Sequence, residues 1–341
     1  MANEAFEWSL LTLTWVGIVG FAVFMYVLMD GFDLGIGILF PFAPSHEDRD
    51  VMMHSIAPVW DFNETWLILG AAGLFAAFPI AYAVMLPAMY LPVLLMLIAL
   101  VFRGVAFEFR FKANRSRHLW DRAFFLGSLL ATFAQGVMLG SFIQGTEVQG
   151  RAFVGGTFDW LTPFSLFCGL ALVGGYSLLG ATWLIWRTVG ILQDWCFRIA
   201  RRLLLAVLAA VIVVSLWTPF LNEAIAARWF TLPNLFYFAP VPLVTAGIAI
   251  ALWRALGNGR EALPFVLSMA MFGLSYLGLA ISVWPMLIPP SISIWQAASP
   301  PESQVFLLVG MAFLIPSILV YTAFCYWVFR GKVTGDVGYH H

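Results

Sequence analysis

Two pairs of carboxylates, each spaced three residues apart, stand where carboxylates are expensive. Asp30 and Asp33, in Asp30-Gly31-Phe32-Asp33-Leu34-Gly35-Ile36-Gly37, are the only charged side chains between Leu10 and Pro44. Asp61 and Glu64, in Pro58-Val59-Trp60-Asp61-Phe62-Asn63-Glu64, open the next apolar run. On a helix this spacing puts both members of a pair on one face, about 60° apart. A charge near hydrocarbon costs on the order of 2.5–3.5 kcal/mol on insertion scales, so each is expected to be functional or paired. The functional reading is a protonatable set that relays protons or holds a cation inside a bundle. The plainer one is a set of caps and salt bridges: water or arginine for Asp30 and Asp33, and Arg103 or Arg110 for Asp61 and Glu64. Gly31, Gly35 and Gly37 favour close helix packing beside the first pair, because small residues let backbones approach. Asp61 falls roughly 8 Å along the helix from Ile56. With Glu64 nearly a turn deeper, Asn63 supplying amide donors and Trp60 suited to an interface, the second pair has the makings of a proton-path mouth.

Other chemistries find less support. Of the five histidines, His46, His54 and His118 lie in connections or at run ends, and His340 and His341 close the chain. A haem inside a helical bundle takes its axial ligand from a span, usually His, sometimes with Met. No apolar run here offers His, so a haem held by this chain is not expected. Met29, Met85 and Met96 read as core residues, among 13 methionines. Cys168, Cys196 and Cys325 are far apart, without a Cys-x-x-Cys, and read as buried small apolar residues.

The elements that must position these groups are membrane helices. Of 341 residues 62% are hydrophobic and 10% charged, and the mean hydropathy is +0.91, against about 25% charged in soluble domains. A net charge of −1, with no basic tract interleaved with aromatics, gives no sign of nucleic-acid binding. The acidic start lacks the positive region of a cleavable signal, so the first run is expected to be retained as a span. About 20 apolar residues cross a bilayer, and nine runs qualify: 10–39, 56–77, 80–102, 123–143, 163–186, 203–221, 235–253, 263–283 and 305–329. A tight turn at Phe78-Pro79 is expected to make the second and third a hairpin. The connections after runs one, three, five and seven, with the C-terminal tail, hold 15 of the 17 basic residues; only Arg151 and Arg228 fall in the opposite set. The positive-inside rule then predicts nine transmembrane helices, with the N-terminus outside and the C-terminus cytoplasmic. No connection exceeds roughly 20 residues, too short for a soluble catalytic domain. Gly174-Gly175-Tyr176-Ser177-Leu178-Leu179-Gly180 faintly echoes the first-run glycine motif, a hint of two related halves.

At these stretches the chain resembles subunit II of the cytochrome bd-type quinol oxidases, including the cyanide-insensitive branch. The resembling segments are Asp30 to Gly37, Ser55-Ile56-Ala57-Pro58-Val59-Trp60-Asp61-Phe62-Asn63-Glu64-Thr65-Trp66-Leu67, Phe102-Arg103-Gly104-Val105-Ala106-Phe107-Glu108 and Val328-Phe329-Arg330-Gly331-Lys332-Val333. They run in order from the first span to the last. The resemblance implies an all-α integral membrane protein of the bacterial cytoplasmic (inner) membrane. Its fold would be two four-helix bundles, about 8–144 and 163–283, with a peripheral ninth helix at about 303–329. It implies a haem-free partner of subunit I, which carries b-type haems, haem d or its b-type substitute, and the quinol site. The complex would oxidise quinol and reduce O2 to water, taking protons from the cytoplasm. A structural quinone, a small accessory subunit and bound membrane lipids are further expectations. By position, Asp61 matches the carboxylate that opens a hydrophilic path toward subunit I, with Trp60 and Asn63 in the same motif. Glu64 departs from members carrying an amide there. Asp30 and Asp33 match a pair that is structural or part of a second path. The rival readings are a self-sufficient proton- or cation-coupled transporter and a pure scaffold.

Overall fold

A computed structural model describes residues 2–113 and 115–334, so His340 and His341 lie outside the described residues. The chain is helical almost throughout. In order come α1 (Ala2–Leu39), α2 (His46–His54), α3 (Trp60–Ala77), α4 (Pro79–Ala88), α5 (Tyr90–Lys112), α6 (Arg117–Gln144) and α7 (Pro163–Arg187). There follow α8 (Gly190–Leu221), α9 (Glu223–Phe230), α10 (Asn234–Phe238), α11 (Pro240–Gly257), α12 (Ala262–Val283), α13 (Ile294–Ala297) and α14 (Pro301–Val328). Among the described residues eight helices are long and apolar enough to cross a membrane, or nine if α3 and α4 count as one broken span.

That pair corrects the expected hairpin. The chain does turn at Phe78-Pro79, where α3 and α4 meet at 118°, but α4 has only ten residues and the next long helix starts at Tyr90. Pro79 cannot continue the ladder of α3, and Pro87 and Pro92 break the following apolar run a second time. Hydropathy saw one run because all three pieces are apolar. The helices also overshoot the apolar runs. α5 continues past Phe102 to Lys112, α6 begins at Arg117, and α8 begins at Gly190. Arg103, counted above as a loop cation, therefore lies within a helix and is fully buried.

The core forms around α1. It packs on α3, α6 and α7, while α5 lies against α6, and α8 and α12 against α7. α14 rests on α1 and α3 as the least buried candidate span. The contact of α1 with α7 is made by backbone. A Cβ on Gly35 would stand 1.8 Å from the Tyr176 carbonyl oxygen, and one on Gly180 would stand 2.6 Å from the Gly35 carbonyl carbon. Only glycine admits that approach, so the two glycine motifs touch one another. α7 starts cleanly because the Thr162 hydroxyl accepts from the Ser165 amide in a capping box ahead of Pro163.

Two short hairpins lie between helices: β1 (Val148–Gln149) with β2 (Ala152–Phe153), and β3 (Met286–Ile288) with β4 (Ile292–Ser293), both antiparallel. Hydropathy gave no sign of either. With α4 and α13 they close one end of the molecule over Trp15, Phe78, Val84 and Ile288.

Candidate functional site

Deep in the bundle, the four acidic residues are sorted by depth. Asp30 and Asp33, on successive turns of α1, are fully buried. The Glu64 side chain, one turn into α3, is 24% exposed, and Asp61 is exposed at the start of the same helix. One cation joins three of them. Arg103 Nη2 lies 2.7 Å from Asp30 Oδ1 and 3.7 Å from Asp33 Oδ2, and Arg103 Nη1 lies 3.7 Å from Glu64 Oε2. Asp61 forms no ion pair among the described residues, so the arginine partner weighed for the second pair is found for Glu64 and not for Asp61. Arg110, the other partner considered, is engaged by Asp50 and Asp121 instead.

Three carboxyls face one guanidinium, so the set is electrically neutral only when it holds two protons. A buried group with uncompensated charge is strongly disfavoured. Such an arrangement can therefore take up and release protons at modest electrostatic cost, and Arg103 keeps one negative charge in place.

Neutral polar groups extend the set in two directions. The Asn63 Nδ2 amide donates to Asp33 Oδ2 at 2.7 Å and to the Met29 carbonyl at 3.3 Å. Its Oδ1 accepts from the Tyr326 hydroxyl of α14 at 2.9 Å. On the other side, Gln135 Nε2 of α6 donates to the Tyr26 hydroxyl at 2.7 Å, and Gln135 Oε1 accepts from the Tyr176 hydroxyl at 3.0 Å. Tyr26 stands one helical turn before Asp30 on α1. Aromatic rings seal the set from the apolar core. Trp60 stacks on Phe107 with centroids 4.7 Å apart, and the Arg103 guanidinium lies 5.7 Å over the Trp60 ring. Phe32, between the two aspartates, stacks on Trp183 at 4.4 Å.

All six candidate residues thus fall in one neighbourhood, with Asp61 at its rim. Sequence reasoning missed Tyr26, Gln135, Tyr176 and Tyr326, and it misplaced Arg103. Gln135 carries a faint signal, an amide within the apolar part of α6. The tyrosines carry none, since they stand unmarked in a chain that is 16% aromatic.

A second polar group lies beyond the spans, at the end of α5. Arg110 Nε donates to Asp121 at 2.5 Å and Nη1 to Asp50 at 2.7 Å, while Arg117 also donates to Asp50. Burial pushes the Asp50 carboxyl up, but the hydrogen bonds from Arg117 and Arg110 outweigh it and hold Asp50 below the usual range. Burial also holds the His54 imidazole, stacked on Phe111 at 4.6 Å, below its ordinary value. These contacts tie α2, α5 and α6 together. Glu108 pairs with Lys112 at 3.2 Å on an exposed surface. The three cysteines are free and buried. Among the described residues no three His, Cys, Asp or Glu side chains are grouped to hold a metal ion.

Comparison with known proteins identifies the family. The family model for cytochrome bd terminal oxidase subunit II matches residues 11–329. The chain is 30% identical to cytochrome bd-I ubiquinol oxidase subunit 2 of Escherichia coli K12, over 97% of each chain. It is 27% identical to cytochrome bd ubiquinol oxidase subunit 2 of Bacillus subtilis, over 94% of this chain and 96% of that one. The fold matches a chain of the bd oxidase of Geobacillus thermodenitrificans with a TM-score of 0.74 and 18% identity, over 94% of this chain and 99% of that chain. The chain belongs to the cytochrome bd terminal oxidase subunit II family.

Proposed function

We propose that this chain is the haem-free subunit of a bd-type quinol oxidase in the bacterial cytoplasmic membrane. It scaffolds a haem-bearing subunit I and supplies the cytoplasmic end of a proton path for O2 reduction to water. The observation that carries the second half is the gradient of depth, from exposed Asp61 through part-exposed Glu64 to buried Arg103, Asp33 and Asp30. A proton arriving at Asp61 passes to Glu64 and then to a set that already needs protons for neutrality. Trp60 and Asn63 line and orient this route. The fold reads as nine spans with α3 and α4 as one broken span, in two bundles, α1 to α6 and α7 to α12, with α14 peripheral. The excess of basic residues in one set of connections supports an N-terminus outside and a C-terminus in the cytoplasm.

Haem belongs to the partner on ligand grounds. His54 lies at the end of α2, and His46 and His118 lie in the first turn of α2 and α6. None of these sits where a bundle haem takes its axial ligand. A shallow apolar groove of about 500 Å3 runs along α14 beside Pro316, Ser317, Val320, Tyr321 and Phe324. Its lining suits an acyl or prenyl chain but includes no buried polar pair for a quinone ring, so a structural quinone is not assigned to it.

Two measurements on the purified complex test the proposal. In the visible spectrum the haem bands should follow the partner when the subunits are separated, leaving this chain colourless; haem retained here would contradict the ligand argument. Asp61→Asn should lower quinol-dependent O2 consumption at least several-fold with haem content unchanged. Unaltered turnover would leave a scaffold only.

A further inference from the structure

Around α2, α5 and α6 the cations are mostly neutralised by the protein itself. Arg49, Arg103, Arg110, Lys112 and Arg117 each meet a carboxylate. The ends of α8 and α11 differ. There Arg198, Arg201, Arg202, Arg254 and Arg260 are all exposed, and none forms an ion pair among the described residues. They belong to one place, because Arg201 Nη2 donates to the Leu256 carbonyl at 3.0 Å and so ties α8 to the last turn of α11. Arg198 Nε reaches only the backbone carbonyl of Asp194. Glu261, next to Arg260, is held by Lys332 at 2.9 Å.

These arginines sit at the edge of the hydrocarbon. Arg202 is the last charged residue before Glu223, and Arg254 is the first after Arg228. From Arg198 to Arg202 the helix rises about 6 Å, roughly the depth of one headgroup layer. The exposed face of α8 continues from them through Leu205, Ile212 and Leu216, and on α11 exposed Ile250 and Trp253 lead up to Arg254. Two helices in contact therefore present the same order, cations at one end and bare apolar surface beyond. That is the order of phosphate and acyl chain in a phospholipid. A free phosphate would use only the arginines, and an acidic soluble protein would leave the apolar stripes uncovered.

We infer that the joined ends of α8 and α11 form a docking surface for anionic phospholipid. Arg198, Arg202 and Arg254 face the headgroup phosphates, whose oxygens suit the guanidinium fork, and the acyl chains lie along the exposed stripes. The surface is separate from the carboxylate set and does not depend on the proton path.

The test uses the intact complex in detergent, with bound lipid counted by native mass spectrometry as phosphatidylglycerol or phosphatidylcholine is added. The wild type should retain phosphatidylglycerol preferentially. Arg198→Gln, Arg202→Gln and Arg254→Gln together should lower that preference at least about fivefold, the attraction of one basic side chain to an anionic surface. Haem content should be unchanged. Arg115→Gln with Arg122→Gln removes two other exposed, unpaired arginines and should leave the preference as it is. A triple variant within about twofold of the wild type, less than the share of one arginine, overturns the inference. So does no preference in the wild type, or an equal loss in the control pair, which would assign the effect to the general field of this face. Inorganic phosphate at matched ionic strength should not displace the lipid; displacement would mark a site for a free anion and overturn the inference too. If the triple variant does not assemble, salt decides. Raising ionic strength from about 0.05 to 0.5 M should release phosphatidylglycerol from the wild type and leave phosphatidylcholine in place, and salt-independent retention overturns the inference.

Discussion

Replacing Arg103 with methionine keeps most of the side-chain volume and removes the cation that three carboxyls share. Asp30, at 2.7 Å, and Asp33, at 3.7 Å, would then lie fully buried with no counter-ion. Breaking a buried pair from one side costs about 3–5 kcal/mol, because the stranded charge stays behind. That is a shift of roughly 150- to 4,000-fold in the ratio of folded to unfolded protein. At about 2 °C per kcal/mol for a chain of this size or somewhat less, the melting midpoint should drop on the order of 5–10 °C. The loss should grow with pH, since a protonated carboxyl needs no counter-ion. The assay is thermal unfolding of the purified complex in detergent, followed by tryptophan fluorescence, at several pH values. Arg103→Met with Asp30→Asn removes one charge of each sign and should recover a good part of the midpoint. A midpoint for Arg103→Met within about 1 °C of the wild type would refute the reasoning. So would a double variant no more stable than the single one.

Other consequences follow from the same geometry. Gly35→Ala places a methyl group 1.8 Å from the Tyr176 carbonyl oxygen. α1 and α7 must then part by more than an ångström, at about 1–3 kcal/mol or more. Gly247→Ala, in open space on α11, should be near neutral or slightly stabilising, and equal melting midpoints for the two would contradict the contact. The Asp50 carboxyl is held below its unfolded value of about 3.9. Its contribution is therefore complete above that value and disappears as pH falls through the lower folded value. Asp50→Asn should lower the midpoint at neutral pH and flatten the acid limb of a stability–pH curve; an unchanged acid limb would show that the Arg110 and Arg117 contacts contribute nothing.

The acidic residues were legible in the sequence because a carboxylate inside an apolar run stands out by its cost. Their connections were not. Arg103 follows Phe102 at the edge of an apolar run, so hydropathy reads it as the end of a span. Only the placement of α5 beside α1 and α3 shows three carboxyls waiting for it. The partners of the amides lie 41 residues away for Gln135 and Tyr176 and 263 for Asn63 and Tyr326, beyond any local pattern. The glycines of α1 announced a close helix contact, and the echo at Gly174 to Gly180 marked the surface that meets it. The pairing itself needed the fold. Span boundaries failed for a simpler reason: helices continue beyond the apolar stretch, and prolines cut the run from Ile80 to Phe102 without changing its hydropathy. The same blindness hid α4 and the two hairpins, which are held by one another and by Trp15 and Phe78 rather than by a pattern of their own.

Proton uptake tests the central claim most directly. The fully reduced complex is mixed with O2 in weakly buffered medium, with a pH indicator following protons taken from solution and haem absorbance following electron transfer. Glu64 joins the exposed rim to the buried set, 3.7 Å from Arg103, and Glu64→Gln removes its proton while keeping its shape. The account expects proton uptake slowed about a hundredfold or more, the low end of what a lost proton-transfer group costs, with the first haem-oxidation step unchanged. Proton uptake at the wild-type rate in Glu64→Gln would contradict it.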